Sequence, residues 1–321
     1  MGVLHPEKEG ELLMITTDGS VRATSFCILL FTAMLLVACG SSDDVVYEPT
    51  PTTADSQHAA EYIVGIHPLH NPQRLMEVYG PIVDHMNANI PGAHFKLEAS
   101  RNYTQFDKKL YAGHFAFAMP NPYQTVLSVK HGYRIFGKMG DDEDFRGIIL
   151  IRKDSGIREV ADLKGKAVSY PGKTALAATF MPQYYLHTHG IDVNHDIESR
   201  YVGSQESSIE NVLRGHVAAG ATWPVPWKTF ILEHPEQAEQ LVVKWQTHSL
   251  LNNGWVVRHD VPPEIAEAFS QLLFSLHETA EGRNMLARVP VSQFEAATDE
   301  TYLPVREFLH EFSQTVREIE H

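Results

Sequence analysis

The chain has 321 residues, of which 43% are hydrophobic and 21% charged, with a formal net charge of −14. This composition is typical of a soluble globular protein with one large or two medium-sized domains, and its acidity disfavours nucleic acids and anionic membrane surfaces as partners. Both cysteines, Cys27 and Cys39, lie in one N-terminal apolar segment. The rest of the chain therefore has no thiol for a disulfide, a thiolate–metal site or a nucleophile.

That apolar segment, "SFCILLFTAMLLVAC" at 25–39, is too short for a comfortable membrane span. It follows Arg22 and ends in small residues, as secretory signals do, and its last four residues resemble a bacterial lipoprotein signal. We therefore predict a signal peptide at 1–38, lipidation of Cys39, and an extracytoplasmic protein anchored to a bacterial membrane. An uncleaved N-terminal anchor is the alternative, and the start codon, Met1 or Met14, stays open.

Residues 39–60 are rich in Ser, Thr, Pro and Asp and predict a disordered tether. From residue 61 short apolar runs alternate with amphipathic helical patterns, such as the strand-like "EYIVGIH" and the helical "NPQRLMEVYGPIVDHMNANI". This succession predicts an α/β fold with a mainly parallel sheet and helices on both faces.

A second unit of the same kind begins at "DLKGKAVSY", residues 162–170, and ends at "LVVKWQT". We predict two lobes joined by two crossover strands, lobe 1 formed by 61–145 plus 250–321 and lobe 2 by 146–249. The C-terminal helical patterns, "PPEIAEAFSQLLFSLHE" and "DETYLPVREFLHEFSQTVREI", are expected to pack back on lobe 1.

The turn "VSYPGKTALAATF", residues 168–180, contains a Gly-Lys-Thr that resembles part of a nucleotide-binding loop. A P-loop needs a glycine five residues before the glycine of that triplet. Ala167 occupies this position, and Pro171 lacks an amide that the loop would use. The spacing excludes a P-loop, so this polar turn between a strand and a helix requires another explanation.

Five stretches, in this order and spacing, resemble the phosphate/phosphite/phosphonate-binding family of ABC-transporter solute-binding proteins: "GIHPLHNPQRL", "YTQFDKKLYAGHFAFA", "DLKGKAVSYPGKTALAATFMPQYYL", "GSQESSIENVLRGHVAAGA" and "NNGWVVRHDVP". The resemblance covers about residues 62–312. It implies a two-lobed periplasmic-binding-protein type II fold that closes on a small solute and delivers it to an ABC permease. Proteins of this shape also present ligands to membrane histidine kinases, and this alternative stays open.

In that family the anion lies between the lobes against helix N-termini, whose free N–H groups bind oxyanions. Thr174 is predicted to cap the helix after the Gly-Lys-Thr turn, and Ser204 or Ser207 the helix of "GSQESS". Thr174 with the amides after it, and Ser207, would donate to the anion. Side chains of Gln205, Asn121 and Asn253 would orient the solute, and three aromatic rings would form walls. The complete predicted binding set is Tyr103, Asn121, Tyr123, Thr174, Ala175, Gln205, Glu206, Ser207, Trp223 and Asn253.

Several positions depart from the family pattern. Residues 175–177 read Ala-Leu-Ala where phosphonate binders carry Ser-Thr-Ser, and Gln205 replaces a histidine. The two carboxylates that hold an aminoalkyl ammonium fall near Val225 and Asn253, while Trp223 and Trp227 are new aromatic residues. We therefore expect a small oxyanion or a polar organic solute as ligand, bound by a monomer.

Other chemistries have weaker support. Glu206 is the only candidate carboxylate in an expected cleft motif, and no Gly-x-Ser-x-Gly elbow is present, so no enzyme is predicted. His67 and His70 follow the first strand and could donate to a ligand, but the chain has no dense histidine tract or acidic metal loop. No metal and no cofactor are predicted.

Overall fold

The computed structural model describes residues 60–319, which belong to one compact unit. The strands are β1 Ala60–Ile66, β2 Ala93–Ala99, β3 Phe117–Met119, β4 Tyr133–Met139, β5 Arg146–Arg152, β6 Ala167–Tyr170, β7 Glu198–Tyr201, β8 Ala219–Thr222, β9 Leu241–Ser249, β10 Gly254–Arg258 and β11 Phe294–Ala296. The helices are α1 Pro72–Asn89, α2 Tyr103–Tyr111, α3 Pro122–Ser128, α4 Met181–Thr188, α5 Gln205–Leu213, α6 Pro224–Glu233, α7 Pro235–Ala238, α8 Pro263–Ser275, α9 Ala280–Arg288 and α10 Leu303–Thr315. A π-helical turn, Leu176–Phe180, leads directly into α4. The predicted signal peptide, lipidated Cys39 and tether lie outside the described residues, except for Ala60, which begins β1.

The strands form two sheets, and the chain passes between them twice. The first sheet has the order β11-β4-β10-β3-β1-β2 and the second has the order β7-β6-β8-β5-β9. The chain leaves the first sheet through residues 140–145 and returns through 250–253. The predicted α/β, two-lobed fold is confirmed. Sheet membership also supports the proposed lobe boundaries, which stay a prediction.

Strand direction differs from the predicted mainly parallel arrangement. Only four of the strand pairings in the described chain are parallel, β1 with β2 and β3 and β6 with β7 and β8, whereas five are antiparallel. The crossover strands account for most of the difference. Because β5 and β10 enter their sheets straight from the other sheet, without a crossover helix, they run against their neighbours.

The hydrophobic core beside the first sheet is rich in aromatic side chains. Phe117 in β3 stacks on Phe269 in α8 with 4.2 Å between ring centroids, and Phe95 in β2 lies against both rings. We call the parts of the fold that carry the first and second sheets the first and second halves. As predicted, the C-terminal helices pack on the first half: α8 contacts α1, and α10 contacts α3. Phe312 of α10 also reaches Phe180, at 4.9 Å between centroids, and so touches the half that carries the second sheet.

The loops that follow four of the strands lie in the space between the two sheets. His67 follows β1, Asn121 lies two residues beyond β3, Gly172 lies two residues beyond β6, and Trp223 follows β8. The carboxyl ends of parallel strands are where α/β sheets place ligands. Local capping signals then start the helices: Asn121, for example, forms a capping box with Gln124 at α3.

Candidate functional site

A small cavity of about 10 Å³, lined by buried residues, lies where these loops meet the two crossovers. Its lining residues come from both halves of the fold: His67, Tyr103, Asn121, Phe145, Ala175, Leu176, Ala177, Ala178, Gln205, Trp223 and Asn253. We call this the inner cavity. In the present arrangement it has room for about one water molecule, so a larger solute enters when the two halves separate, and they close over it less tightly than in this structure.

Four helical segments of nine or more residues begin at the inner cavity. Tyr103 and Gln205 are the first residues of α2 and α5, Ala175 precedes the π turn that continues into α4, and Trp223 precedes α6. Each start directs a partial positive charge toward the cavity, which favours an anion without a lysine or arginine.

The π turn supplies more uncapped amides than any of the other three helix starts. Side-chain caps occupy one amide each at α2 and α5, through Asn102 and Ser204, and prolines remove two amides from the start of α6. Ala175 provides no side-chain cap, so the first amides of the π turn, those of Leu176, Ala177 and Ala178, have no intrahelical acceptor. Their small or apolar side chains leave the backbone accessible to a ligand.

Gln205 connects the two halves through a buried chain of hydrogen bonds. Its Oε1 accepts from the Thr222 hydroxyl at 2.8 Å, and its Nε2 donates to the Tyr103 hydroxyl oxygen at 3.1 Å. Gln205 is only 2% exposed. Because the Tyr103 oxygen accepts this bond, its O–H hydrogen remains free to donate to a solute.

Thr174 does not cap the helix, contrary to the prediction. Its hydroxyl donates instead to Asp107 Oδ2 at 2.9 Å, and its carbonyl accepts from the side-chain amide of Asn121 at 2.8 Å. Both bonds join the two halves. Burial raises the pKa of Asp107 to about 6, although hydrogen bonds from Gln124 and Thr174 act in the opposite direction.

Gly172 is the glycine of the Gly-Lys-Thr turn, and close packing explains why a glycine lies at this position. A Cβ at this position would lie 2.9 Å from two ring carbons of Tyr103, closer than real Cβ atoms approach. The glycine therefore allows the turn to close against α2.

The crossovers contribute Phe145 and Asn253. Phe145 packs on Trp223, with 5.4 Å between centroids, and both rings are at least 98% buried. The Asn253 side-chain amide donates to Met139 Sδ at 3.3 Å. Among the described residues its Oδ1 has no hydrogen-bond partner, although it is buried.

A larger and more polar hollow of about 580 Å³, the outer cleft, lies along the same boundary between α1, α5 and α6. An ion pair and a hydrogen bond cross it: Arg74 contacts Glu233 at 2.9 Å, and Glu206 accepts from the side-chain amide of Asn71 at 2.9 Å. His70 Nδ1 lies 3.6 Å from Glu206 Oε1. Burial alone would raise the pKa of Glu206, but the nearby His70 and the bond from Asn71 outweigh it and lower that pKa.

The structure brings six of the ten predicted binding residues together at the inner cavity: Tyr103, Asn121, Ala175, Gln205, Trp223 and Asn253. Glu206 and Ser207 line the outer cleft, where the amide of Ser207 donates to the capping hydroxyl of Ser204. Tyr123 packs on Phe180 and lines a separate surface hollow beside α10. Trp227 stacks on Phe230 in the core of the second half.

Sequence reasoning placed His67 near the cleft without including it in the binding set, and it missed Phe145. The ring of His67 is 2% exposed and its Nδ1 lies 2.9 Å from the Met119 carbonyl oxygen. Its position directly after the first strand was the available signal. Phe145 follows "DDED" in the crossover, and nothing local distinguishes it from a core phenylalanine.

Within residues 60–319 no group of three or more His, Cys, Asp or Glu side chains is arranged to hold a metal ion. No helix in the same range has the length and apolar character needed to cross a membrane.

Comparison with known proteins decides the family. Residues 64–302 match the family described as ABC transporter, phosphonate, periplasmic substrate-binding protein. The chain belongs to this family. It is a family of transport solute-binding proteins rather than of enzymes, and its members work outside the cytoplasm with a small-molecule ligand and a permease.

Solved structures agree on the fold. A binding protein component of an ABC phosphonate transporter from Pseudomonas aeruginosa has a TM-score of 0.74 at 19% identity, over 80% of this chain and 88% of that chain. PhnD1 from Prochlorococcus marinus, in complex with methylphosphonate, has a TM-score of 0.72 at 16% identity, over 80% and 99%. An alkanesulfonate-binding protein from Xanthomonas axonopodis pv. citri, bound to MOPS, has a TM-score of 0.57 at 14% identity, over 80% and 94%.

Proposed function

We propose that this family member binds a small oxyanion in the inner cavity. The observation that carries the proposal is the free amides of Leu176, Ala177 and Ala178, which meet three other helix starts at a cavity whose lining residues include no Lys, Arg, Asp or Glu. An anion placed there receives backbone hydrogen bonds and helix-dipole stabilisation. The Tyr103 hydroxyl adds one further donor.

Closure of the two halves follows from the same contacts. Hydrogen bonds from Gln205 to Tyr103, from Asn121 to Thr174 and from Thr174 to Asp107 form only when the halves meet. A ligand that binds the closed state better shifts the population toward it. The crossovers at 140–145 and 250–253 are the hinges in this proposal, with lobe 1 formed by 61–145 plus 250–321 and lobe 2 by 146–249.

The remaining predicted properties belong to the same proposal. The protein is a monomer without catalytic activity, carries its lipid anchor at Cys39 after removal of the signal peptide, and acts on the outer side of a bacterial membrane. The N-terminal sequence pattern supports the anchor and the location. The lack of an activated nucleophile or acid–base pair at the inner cavity supports the absence of catalysis.

The test is a thermal-unfolding screen of the full chain with phosphate, methylphosphonate, methanesulfonate and organic cations. A ligand at about 100 times its Kd adds about 2.7 kcal/mol to the free energy of unfolding. Stabilisation by one or more oxyanions, lost in a Gly172→Val variant, is the expected result. Stabilisation by cations alone, or by none of the compounds, would contradict the proposal.

A further inference from the structure

The C-terminal segment joins the two halves in addition to the two crossovers. It comprises α10 and the two residues after it, 303–317, and we call it the C-terminal strap. The strap begins beside the returning crossover, because the hydroxyl of Tyr302, the residue before it, donates to the carbonyl oxygen of Asn252 at 2.7 Å. It then packs on α3, where Arg306 donates to the carbonyl oxygen of Val126 at 3.4 Å. The strap therefore starts as part of the first half.

Further along, aromatic side chains of the strap contact the second half. Phe308 packs against the ring of Tyr184 in α4, with 5.5 Å between centroids, and the Tyr184 hydroxyl donates to the carboxylate of Glu311. Phe312 lies edge-on to Phe180, the last residue of the π turn, with 4.9 Å between centroids. Phe312 is 0% exposed and Phe180 is 1% exposed. The second half thus covers apolar surface of the strap.

The end of the strap is bound to the second half by polar groups as well. The guanidinium carbon of Arg317 lies 5.2 Å from the ring centroid of Phe180, and its Nε donates to Gln183 Oε1 at 2.9 Å. The carbonyl oxygen of Val316 accepts from the side-chain amide of Asn194 at 3.0 Å. A cation over an aromatic face is attracted to it, so ring stacking and hydrogen bonds act together at this end.

Contacts between the halves at the outer cleft are weaker. There Arg74 pairs with Glu233, and the two side chains are 31% and 42% exposed. Water replaces such an exposed pair at little cost in free energy. Separation of the strap from the second half would instead expose Phe180 and Phe312 to water, which the hydrophobic effect opposes. The halves therefore separate more easily at the outer cleft than along the strap.

We propose that the C-terminal strap is a third hinge element, which stays attached to both halves while they separate at the outer cleft. Hinged closures concentrate the conformational change in a few residues, and displacements grow with distance from them. The opening is then a rotation that leaves the strap contacts in place. This inference rests on the proposed closure of the two halves, and it adds the side on which they open.

Two pairs of spin labels measure the two sides of the boundary in a full chain whose native cysteines are replaced by serine. The outer pair, Glu77→Cys with Arg214→Cys, spans the outer cleft from α1 to the end of α5. The strap pair, Gln314→Cys with His187→Cys, joins α10 to α4. All four side chains are exposed in the native protein. Electron paramagnetic resonance gives a distance distribution for each pair.

Gly172→Val should hold the halves apart without any ligand, because its side chain would press on the ring of Tyr103. We expect the outer pair to be farther apart in this variant than in the wild type with methylphosphonate, and the strap pair to keep its distance. A strap pair that separates as much as the outer pair would overturn the inference.

Failure of this inference and failure of the oxyanion proposal give different results. If the outer pair alone separates in Gly172→Val, but methylphosphonate and phosphate leave the wild type unchanged, the oxyanion proposal fails and the strap inference stands. If neither pair moves in the variant or with these anions, the halves do not open. The strap inference then fails together with the proposed closure.

Arg317→Ala tests the attachment at the end of the strap. It removes the ring and hydrogen-bond contacts of Arg317, so the distance distribution of the strap pair should broaden. Arg306→Ala is the matched control, because Arg306 contacts Val126 and Asp299 within the first half, and it should leave that distribution unchanged. Melting curves show that both variants fold. A distribution as narrow in Arg317→Ala as in the control would contradict the role given to Arg317.

Discussion

The inner cavity and the outer cleft lie along the same boundary but use opposite chemistry. The inner cavity is about 10 Å³, is lined by uncharged groups and is built on helix starts. The outer cleft is about 580 Å³, and several charged side chains such as Arg74, Glu206 and Glu233 line it. Backbone donors in a dry site keep their strength because water does not compete, whereas ion pairs at a wet surface contribute little. Ligand affinity should therefore depend on the inner cavity and much less on the charges outside it.

The most disruptive test of this comparison is Gly172→Ala. The added Cβ would press on the Tyr103 ring, and overpacking of this kind costs about 1–3 kcal/mol, so oxyanion affinity should fall by about tenfold to a hundredfold. Gly80→Ala is the matched control, because nothing lies within 4 Å of its added Cβ. That control should leave affinity unchanged and, within α1, should increase stability. Calorimetry and thermal unfolding measure the two effects, and an unaltered affinity in Gly172→Ala would show that closure against Tyr103 is not needed.

Gln205→Ala should have the next largest effect. It removes the partner of both Thr222 and Tyr103, and a buried polar group left unpaired costs about 1–3 kcal/mol. We expect about a tenfold loss in affinity and a small decrease in melting temperature. Gln73→Ala, at the outer cleft, serves as control and should bind normally. Identical affinities for the two variants would contradict the assignment of binding to the inner cavity.

The pH dependence of stability separates two inner groups whose effects oppose each other. The pKa of Asp107 is raised to about 6, so folding favours its protonated form, and its contribution increases stability as pH falls from about 6 toward its ordinary range. The pKa of His67 is lowered to about 4, so its contribution is complete above its ordinary value of about 6.5 and is lost as pH falls toward 4.

Single variants should therefore tilt the pH profile in opposite directions. Asp107→Asn should make the melting temperature fall more steeply on acidification than in the wild type, and His67→Phe should make it fall less steeply. Melting curves across this pH range measure both slopes. If both variants changed the slope in the same direction, the opposed protonation of the two groups would be wrong.

The smallest effect is expected at the outer cleft. Arg74→Ala removes the ion pair with Glu233, whose partners are 31% and 42% exposed. Exposed pairs are worth about 0–1 kcal/mol, so affinity should change less than about threefold, and added salt should reduce even that difference. A larger loss would mean that charge outside the cavity contributes to solute capture.

The sequence predicted the fold because its signals are local. Strand and helix patterns alternate clearly, and Ser204, one of the two caps considered for the helix of "GSQESS", does cap α5. Short elements carried too little pattern, so α9 and the three-residue β11 were missed. The direction of β5 and β10 depends on which sheet the chain enters, and alternating patterns do not reveal this.

The site was predictable where it uses helix starts and unpredictable where it depends on distant partners. Threonine is a common helix-capping residue, but the hydroxyl of Thr174 donates instead to Asp107, which lies 67 positions earlier in the sequence. The side-chain amide of Asn253 donates to Met139, 114 positions earlier, and no donor among the described residues reaches its Oδ1. Such pairings arise from tertiary contact, which a single sequence does not specify.

The central claim is that the π-turn amides hold the oxyanion. An assigned amide NMR spectrum of the full chain, titrated with methylphosphonate, tests it most directly. The largest shifts are expected at the amides of Leu176, Ala177 and Ala178, with the outer-cleft amides of Glu206 and Glu210 little changed. Large shifts confined to the outer cleft, with the π-turn amides unmoved, would contradict it.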